Sequence, residues 1–196
     1  MNIRIRREEK KDWYEVEALT RKAFWRVEKA QQTGIGCDEH YLVHTLRKSH
    51  DAVPELNFVA EFNGMIVGHI IYSKAHVRLT RGGCHAVLNF GPISVLPEYQ
   101  NQGVGGSLMK YSLREATRLG FGAIIFFGHP TYYPRFGFKE AKEFGITTVT
   151  GENYPAFMAI ELILGDLEGV IGRYIESPLY NVNIEKAIEY DTHFAS

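Results

Sequence analysis

The residues best suited to chemistry in this 196-residue sequence are three glycines, Gly103, Gly105 and Gly106, in the stretch SVLPEYQNQGVGGSLMKY (94–111). Glycine is a poor helix former, yet these three stand where an apolar stretch gives way to an amphipathic helix. Glycine has no side chain, so a ligand can approach its backbone N–H group closely. Several such N–H groups at the positive end of a helix dipole make an anion site that suits a phosphate. A tight turn that needs positive φ is the purely structural alternative.

Other motifs with known chemistry do not fit. A dinucleotide fingerprint, G-x-G-x-x-G, fails because Leu108 stands where the third glycine belongs. A P-loop fails because the Lys-Ser or Lys-Thr pair is missing. His40 and His44 have the spacing of helical zinc ligands, but the glutamate of H-E-x-x-H and an obvious third ligand are absent. We therefore predict no metal site.

Composition limits the class of protein and its partners. The net charge of −1 and pI of about 6.7 lack the basic balance of phosphate-backbone binding, which argues against nucleic acid as the main partner. Cys37 and Cys84 form no C-x-x-C pair and are interpreted as free thiols in a reducing compartment; Cys84 beside His85 is interpreted as structural or incidental. Apolar runs such as AIIFF (123–127) are too short to span a bilayer, and the N-terminus has no apolar signal core. A cytoplasmic protein without a membrane partner is expected.

The elements around the glycines predict an α+β fold with a mixed sheet. Asn63-Gly64 between two β-like runs is the strongest short-range hairpin signal. A strand over 85–96 is interrupted by Gly91-Pro92, where a bulge or a splayed strand is expected. A helix from Gly103 to about Leu119 and a buried strand over 121–128 then complete a β-α-β unit with parallel strands.

The remaining segments are predicted to share the same core, giving one domain over 1–196. Those elements are a first strand at Ile3 and Ile5, a helix capped by Asp12, a loop over 26–38, a helix over 39–48, strands near 137–141 and 156–164, and a tail helix from about Asn183.

The stretch Gln100-Asn101-Gln102-Gly103-Val104-Gly105 resembles the Q/R-x-x-G-x-G/A motif of the GNAT superfamily of N-acetyltransferases. In that family the motif cradles the pyrophosphate of acetyl-CoA. GPISVLPEYQNQGVGGSLM, GHPTYYPRFGF and AFMAIEL, in this order, resemble its small bacterial YhbS-like branch. The resemblance covers a core of about 3–164, with 165–196 as a loosely matched C-terminal extension. It implies a mostly antiparallel sheet with splayed parallel strands around the cofactor-binding helix.

The resemblance also implies which residues bind acetyl-CoA, the cosubstrate. The backbone around Ile93, Ser94 and Val95 would pair with the pantetheine arm, and an N–H near Val95 would face the acyl oxygen. The residues expected around the pyrophosphate are Gln102, Gly103, Val104, Gly105, Gly106 and Ser107. Side chains would matter mainly at Ser107 and Gln100. Because Gln100 takes the neutral option of the motif, the phosphate site would depend more on the helix end.

Catalytic roles follow from the same resemblance. Tyr133, in Tyr133-Pro134-Arg135-Phe136-Gly137-Phe138, aligns with the tyrosine that protonates the leaving thiolate in related acetyltransferases; the alternative is a packing aromatic. Glu98 and His129 are the candidate bases for the acceptor amine. The alternatives are a solvated turn carboxylate for Glu98 and a structural imidazole for His129. A chain of waters would serve equally as the base.

The expected activity is direct acetyl transfer from acetyl-CoA to a primary amine. The acceptor is a small molecule or a peptide, and its cleft should be bordered by 24–41 and 131–135, where Glu28, Asp38 and Glu39 suit a cationic amine. A non-catalytic acyl-CoA-binding or regulatory module of the same fold is the main alternative. An unrelated nucleotide-binding domain would require ATP or NAD to compete with CoA. A homodimer through the sheet edge or the tail is compatible with the sequence.

Overall fold

The computed structural model describes residues 2–194, which form nine strands and five α-helices. The strands are Arg4–Arg7 (β1), Phe58–Phe62 (β2), Met65–Leu79 (β3), Cys84–Val95 (β4), Ala123–Phe127 (β5), Lys139–Glu140 (β6), Ile146–Thr147 (β7), Phe157–Glu161 (β8) and Gly172–Ile175 (β9). The helices are Trp13–Phe24 (α1), Val27–Thr33 (α2), Glu39–Arg47 (α3), Val104–Arg118 (α4) and Ile184–Asp191 (α5).

The strands belong to one mixed sheet with the order β1-β2-β3-β4-β5-β8-β6, in which β9 pairs with β3 and β7 pairs with β9. Most neighbours are antiparallel, whereas β7 and β9 are parallel, as are β4 and β5, with Leu88 opposite Ile124. The β4–β5 pair is the one that matters for the candidate site. Helix α4 connects these two parallel strands. The predicted α+β class and the predicted β-α-β unit are therefore confirmed.

The turn between β2 and β3 has the backbone that its sequence predicts. Asn63 has φ 51° and Gly64 has φ 80°, so both central residues lie in the left-handed region that a two-residue hairpin turn of this type requires. Phe62 stands opposite Met65, which closes the antiparallel pair directly at the turn. The hairpin prediction is confirmed.

Three local predictions were wrong or incomplete. The segment predicted as a loop contains α2, because VEKAQQT is built largely of good helix formers and ends at Gly34 in the left-handed conformation. Asp12 makes no side-chain cap bond to α1. Its carboxylate instead accepts from the Glu9 N–H (2.8 Å) and from Arg6 Nη1 (2.6 Å), and it closes a 3₁₀ turn before the helix. Strands β7 and β9 were not predicted.

The chain divides into two compact units, the first formed by residues 2–71, 91–109 and 178–194, and the second by 72–90 and 110–177. In the first unit, helices α1 and α3 pack against each other with Val16, Leu19, Val43 and Leu46 buried. In the second unit, strand residues such as Val77, Ile125 and Phe157 form one apolar cluster. The single domain over 1–196 stays a prediction.

The C-terminal extension supplies part of both cores. Leu167, Val170 and Tyr174 belong to the apolar cluster of the second unit, whereas α5 lies in the first unit with Ala187 buried. The N–H of Lys186 donates to the side chain of Asn183 (2.9 Å), so the tail helix begins where the sequence predicts. Within residues 2–194, no helix combines the length and the apolar composition needed to cross a bilayer.

Gly68 in β3 sets how closely α4 approaches the sheet. A Cβ atom added to Gly68 would lie 2.9 Å from Val104 Cγ1, 3.0 Å from Leu108 Cδ1 and 3.2 Å from the Ser94 carbonyl oxygen. We expect Gly68→Ala to lower the free energy of unfolding by about 1–3 kcal/mol, since overpacking forces the helix or the strand to move. Urea unfolding measures this loss. The double variant Gly68→Ala/Val104→Ala should recover part of this loss, because the shorter side chain leaves room for the new Cβ atom. If the losses of the two single variants simply add, the Cβ atom does not press on Val104.

Candidate active site

The glycine-rich turn before α4 presents backbone donors that the protein itself does not use. Gly103 has φ +88°, and an added Cβ would meet no atom within 4 Å. The Ser107 N–H donates to the Gly103 carbonyl (2.9 Å), but the N–H groups of Val104, Gly105 and Gly106 find no acceptor within residues 2–194. These three donors open a 15-residue helix, where the helix dipole is positive. The turn therefore has both the positive φ of the structural alternative and the free amides of an anion site.

Two glutamine side chains hold this turn in place. Gln100 Nε2 donates to the Val95 carbonyl (3.0 Å), and Gln102 Nε2 donates to the Glu98 carbonyl (2.7 Å). Gln100 therefore uses one amide N–H to tie the turn to the end of β4. Its predicted contact with phosphate stays a prediction, as does that of the exposed Ser107.

The end of β4 is tied to α1. Ser94 is buried, and its hydroxyl lies 2.9 Å from the hydroxyl of Thr20. Ile93 and Val95 are half-buried on either side of it, and the next N–H, that of Leu96, donates to the β3 carbonyl of Val67 (3.0 Å). The strand segment predicted to pair with pantetheine is thus held from two directions in the first unit.

A cavity of about 400 Å³ in the first unit is lined by Arg21, Lys22, Trp25, Pro97 and Glu98. Glu98 lies in a 3₁₀ turn, Pro97–Tyr99, and is exposed. Its carboxylate has no partner within the described part of the chain. Glu98, one of the two predicted bases, therefore lines this cavity with an unpaired carboxylate.

Tyr133 lies in the second unit and is only 8% exposed. Its ring packs edge-to-face on Phe126, with centroids 4.6 Å apart, and also contacts Phe90 and Phe138. Among the described residues its hydroxyl has no hydrogen-bond partner, and burial raises the pKa of Tyr133 to about 12. The ring is thus a packing aromatic, as the structural alternative proposes, while the hydroxyl keeps its proton at neutral pH.

His129 is exposed and its ring is oriented by Thr131. The Thr131 N–H donates to His129 Nδ1 (3.4 Å), and the Thr131 hydroxyl lies 3.0 Å from the same nitrogen. Because Nδ1 accepts, the proton of the neutral ring is on Nε2. Neither nitrogen then offers a free lone pair to an amine, which favours the structural-imidazole alternative.

Two carboxylates of the predicted acceptor cleft are already engaged. Asp38 pairs with Lys29 Nζ (2.6 Å), and the carboxylate of Glu39 accepts from the Asp38 N–H (3.1 Å). Burial raises the pKa of Glu39. These two groups therefore attract a cationic amine less than the sequence suggests.

Cys37, His40 and Asp191 lie in the order of a thiol triad. Cys37 Sγ is 3.5 Å from His40 Nδ1, and His40 Nε2 is 3.2 Å from Asp191 Oδ1. Both Cys37 and His40 are fully buried, and burial raises the pKa of Cys37 to about 12. A buried protonated thiol is not a nucleophile, so this cluster is structural. The exposed Cys84 is free, and its neighbour His85 pairs with Asp166 (2.9 Å).

A buried ionic network in the first unit has no counterpart in the sequence analysis. Arg47 donates to Glu8 (2.5 and 3.0 Å) and to Glu17 (2.5 Å), and the Tyr190 hydroxyl of α5 donates to Glu17 (2.5 Å). His69 is fully buried 3.4 Å from Glu8. No spacing rule links these residues, because they come from four distant parts of the chain.

This network predicts a loss of stability in mild acid. Burial lowers the pKa of His69 well below its ordinary value. Below about pH 6.5, His69 therefore binds a proton in the unfolded chain but not in the folded chain. Each such proton lowers the free energy of unfolding by at most about 1.4 kcal/mol per pH unit. The raised pKa of Glu8 acts in the opposite sense. Between pH 7 and 5.5, the free energy of unfolding measured with urea should therefore fall more for the wild type than for His69→Gln. Equal decreases would show that His69 is not the cause of the loss.

Comparison with known proteins agrees with this fold. A family profile described as an acetyltransferase (GNAT) domain matches residues 54–140. The uncharacterized N-acetyltransferase YjhQ of Escherichia coli K12 is 36% identical over 100 residues, which are 50% of this chain and 54% of YjhQ, so the match spans about half of that relative. The uncharacterized N-acetyltransferase YhbS of the same organism is 27% identical over 157 residues, covering 80% of this chain and 83% of YhbS.

Solved structures extend the comparison to almost the whole chain. The crystal structure of Escherichia coli YhbS in complex with CoA has a TM-score of 0.78 at 25% identity, covering 92% of this chain and 93% of that one. A GNAT acetyltransferase from Brucella melitensis, solved with acetyl-CoA, has a TM-score of 0.66 at 24% identity, covering 91% of this chain and 98% of that one. This second match shows a similarity of fold alone. The chain therefore has the fold of the GNAT N-acetyltransferases, and residues 54–140 match the profile of that family.

Proposed function

We propose that this protein is an acetyl-CoA-dependent N-acetyltransferase that transfers an acetyl group directly to a primary amine. The observation that carries the proposal is the set of three unused N–H donors at Val104, Gly105 and Gly106. A diphosphate fits such donors without further cationic side chains. The CoA complex of the Escherichia coli YhbS relative supports this choice of anion.

The cosubstrate would be held by the end of β4 and the start of α4. The backbone at Ile93, Ser94 and Val95 would pair with the pantetheine arm, as the family resemblance implies. Gln102 to Ser107 would surround the pyrophosphate, mainly through backbone N–H groups. Gln100 would act chiefly by tying the turn to the Val95 carbonyl. A rigid turn keeps the donors in place before binding, which reduces the entropy lost on association.

The reaction itself is an acyl transfer. The neutral amine attacks the thioester carbonyl, a C–N bond forms, and the carbonyl oxygen carries negative charge that an N–H near Val95 would stabilise. The C–S bond then breaks, and the thiolate takes a proton from the Tyr133 hydroxyl, which solvent afterwards restores. A tyrosine that stays protonated at neutral pH suits this role of general acid.

The amine must lose one proton during the reaction. Glu98 is the side chain we propose to accept it, directly or through a water, because its carboxylate is unpaired and faces a cleft. His129 is the weaker of the two bases named from the sequence, since Thr131 uses its Nδ1 lone pair. The cytoplasmic location and a homodimer stay predictions from the sequence.

Two measurements test the proposal. Calorimetry with acetyl-CoA should detect binding, and thiol release from acetyl-CoA should depend on an added amine. Absence of CoA binding would overturn the assignment. Tight binding without turnover across a broad amine panel would favour the non-catalytic acyl-CoA-binding module instead.

A further inference from the structure

The cavity beside Glu98 carries separated charges of both signs. Arg21 and Lys22 supply cations from the last turn of α1, and Glu98 supplies a carboxylate from the turn after β4. Trp25 and Pro97 add apolar surface to the same lining. We propose that this cavity binds the acetyl acceptor and that the acceptor is a small amine that also carries a carboxylate, as an amino acid does. This inference rests on the function proposed above and names its substrate class.

Arg21 is held in place but is not fully used. Its Nε and Nη2 donate to the two carboxylate oxygens of Asp191 (2.6 and 3.0 Å). Its guanidinium also lies over the ring of Trp25, 4.0 Å from the centroid. Within residues 2–194, Nη1 has no acceptor. A guanidinium fixed by two contacts and with a free N–H is preorganised to bind a carboxylate.

Trp25 is fixed in a similar way. A Cβ atom at Gly36 would lie 2.3 Å from Trp25 Cδ2, so the indole rests directly against the backbone of Gly36, where only glycine fits. Yet Trp25 as a whole residue remains 36% exposed. Neither its Nε1–H nor Lys22 Nζ has an acceptor in the described part of the chain. The cavity lining therefore has three unused donors and an unused carboxylate, with no ion pair between them among the described residues.

The cavity lies beside the strand end where the thioester is proposed to bind. Thr20, next to Arg21, is hydrogen-bonded to Ser94 in β4 (2.9 Å). Glu98 follows Val95 by three residues, so their Cα atoms are at most about 11 Å apart. The proposed amine site and the proposed thioester site are therefore neighbours along the chain.

The charge pattern favours one class of acceptor over its rivals. A polyamine would be attracted by Glu98 but repelled by the cations Arg21 and Lys22. A simple anion would be attracted by these two cations but repelled by Glu98. An amine with a carboxylate satisfies both sides, with its amine towards Glu98 and its carboxylate towards Arg21 and Lys22. Because a hydrogen bond to a charged group is among the stronger interactions, we expect removal of the acceptor carboxylate to lower kcat/KM by about 10- to 100-fold.

Matched amines test this directly. Leucine, phenylalanine and lysine are each compared with their carboxamide and with the amine that lacks the carboxyl group, by thiol release from acetyl-CoA. The acids should have at least about tenfold higher kcat/KM, although the carboxamides have the more easily deprotonated amines. Equal rates, or a preference for amines without a carboxylate, would overturn the inference.

Variants separate the acceptor site from general effects. Lys22→Met should raise KM for the acids and leave that for the carboxamides unchanged. Lys186→Met is the matched control, since Lys186 is exposed on α5 and has no ion pair among the described residues. If both variants behave alike, or if Lys22→Met affects the carboxamides equally, the carboxylate does not bind at this cavity.

A binding measurement covers the case in which no amine is turned over. The chain has two tryptophans, so Trp13→Phe leaves Trp25 as the only indole reporter. Titration of this variant with the same acids and carboxamides, in the presence of CoA, should change its fluorescence with the acids alone. No change with any acid would overturn the inference. Failure of CoA itself to bind would overturn the proposed function, so the two failures are distinguishable.

Discussion

Replacing Tyr133 with phenylalanine is expected to lower amine-dependent kcat by about 10²- to 10⁴-fold, the usual contribution of a positioned general acid. The ring should remain packed, because Phe126, Phe90 and Phe138 each pack edge-to-face with the aromatic ring, which the substitution keeps. The lost hydroxyl had no partner among the described residues, so stability should change little. Steady-state thiol release measures kcat, and calorimetry should give the same affinity for acetyl-CoA as the wild type.

Tyr132→Phe is the matched control for this prediction. Tyr132 is the adjacent tyrosine, its ring lies 5.1 Å from that of Tyr133, and Arg135 stacks over it. It should retain nearly the full rate. If both variants lose activity equally, the effect comes from aromatic packing. If Tyr133→Phe keeps its rate, another group or water protonates the thiolate.

The proton on Tyr133 also predicts the pH response. Because burial raises the pKa of Tyr133 to about 12, the hydroxyl remains a donor throughout the neutral and mildly basic range. Loss of this proton should therefore not lower the rate in the neutral and mildly basic range, and the pH profile of kcat checks this. This inference follows from desolvation of the phenolate, which penalises the charged form.

Local patterns were sufficient to predict the elements that position the donor site. Asn63-Gly64 fixed the β2–β3 hairpin because both residues tolerate positive φ, and the glycines before α4 marked a helix start with free amides. The parallel pairing of β4 and β5 followed from the helix between them. In each case the physical cause lies within a few residues of the pattern.

What the sequence did not indicate depends on contacts between distant residues. Arg21 and Asp191 are 170 positions apart, and neither residue type predicts the other. Gly68 resembles any strand glycine until the helix residues above it are known. Helix α2 was missed for a different reason: Gly34 and Gly36 suggested a loop, although Gly34 only ends the helix. The acceptor cavity was correspondingly the least predictable part of the candidate site.

Gly103 offers a test in which stability and cofactor binding change in opposite directions. Asn and Asp tolerate the left-handed conformation better than other non-glycine residues, and an added side chain at Gly103 has open space around it. Relative to Gly103→Asn, the negative charge of Gly103→Asp should stabilise the start of α4 by about 0.3–1 kcal/mol through the helix dipole. Thermal unfolding at low salt measures this difference.

The same negative charge should weaken acetyl-CoA binding. A unit charge about 5 Å from another costs about 3 kcal/mol at an effective dielectric of 20, and solvent exposure reduces this. We therefore expect Gly103→Asp to bind acetyl-CoA about 10- to 100-fold more weakly than Gly103→Asn by calorimetry. The gap should narrow with added salt, because exposed charges are screened. Equal affinities for the two variants would mean that the diphosphate does not bind at the N-terminus of α4, since only a nearby anion distinguishes these two side chains.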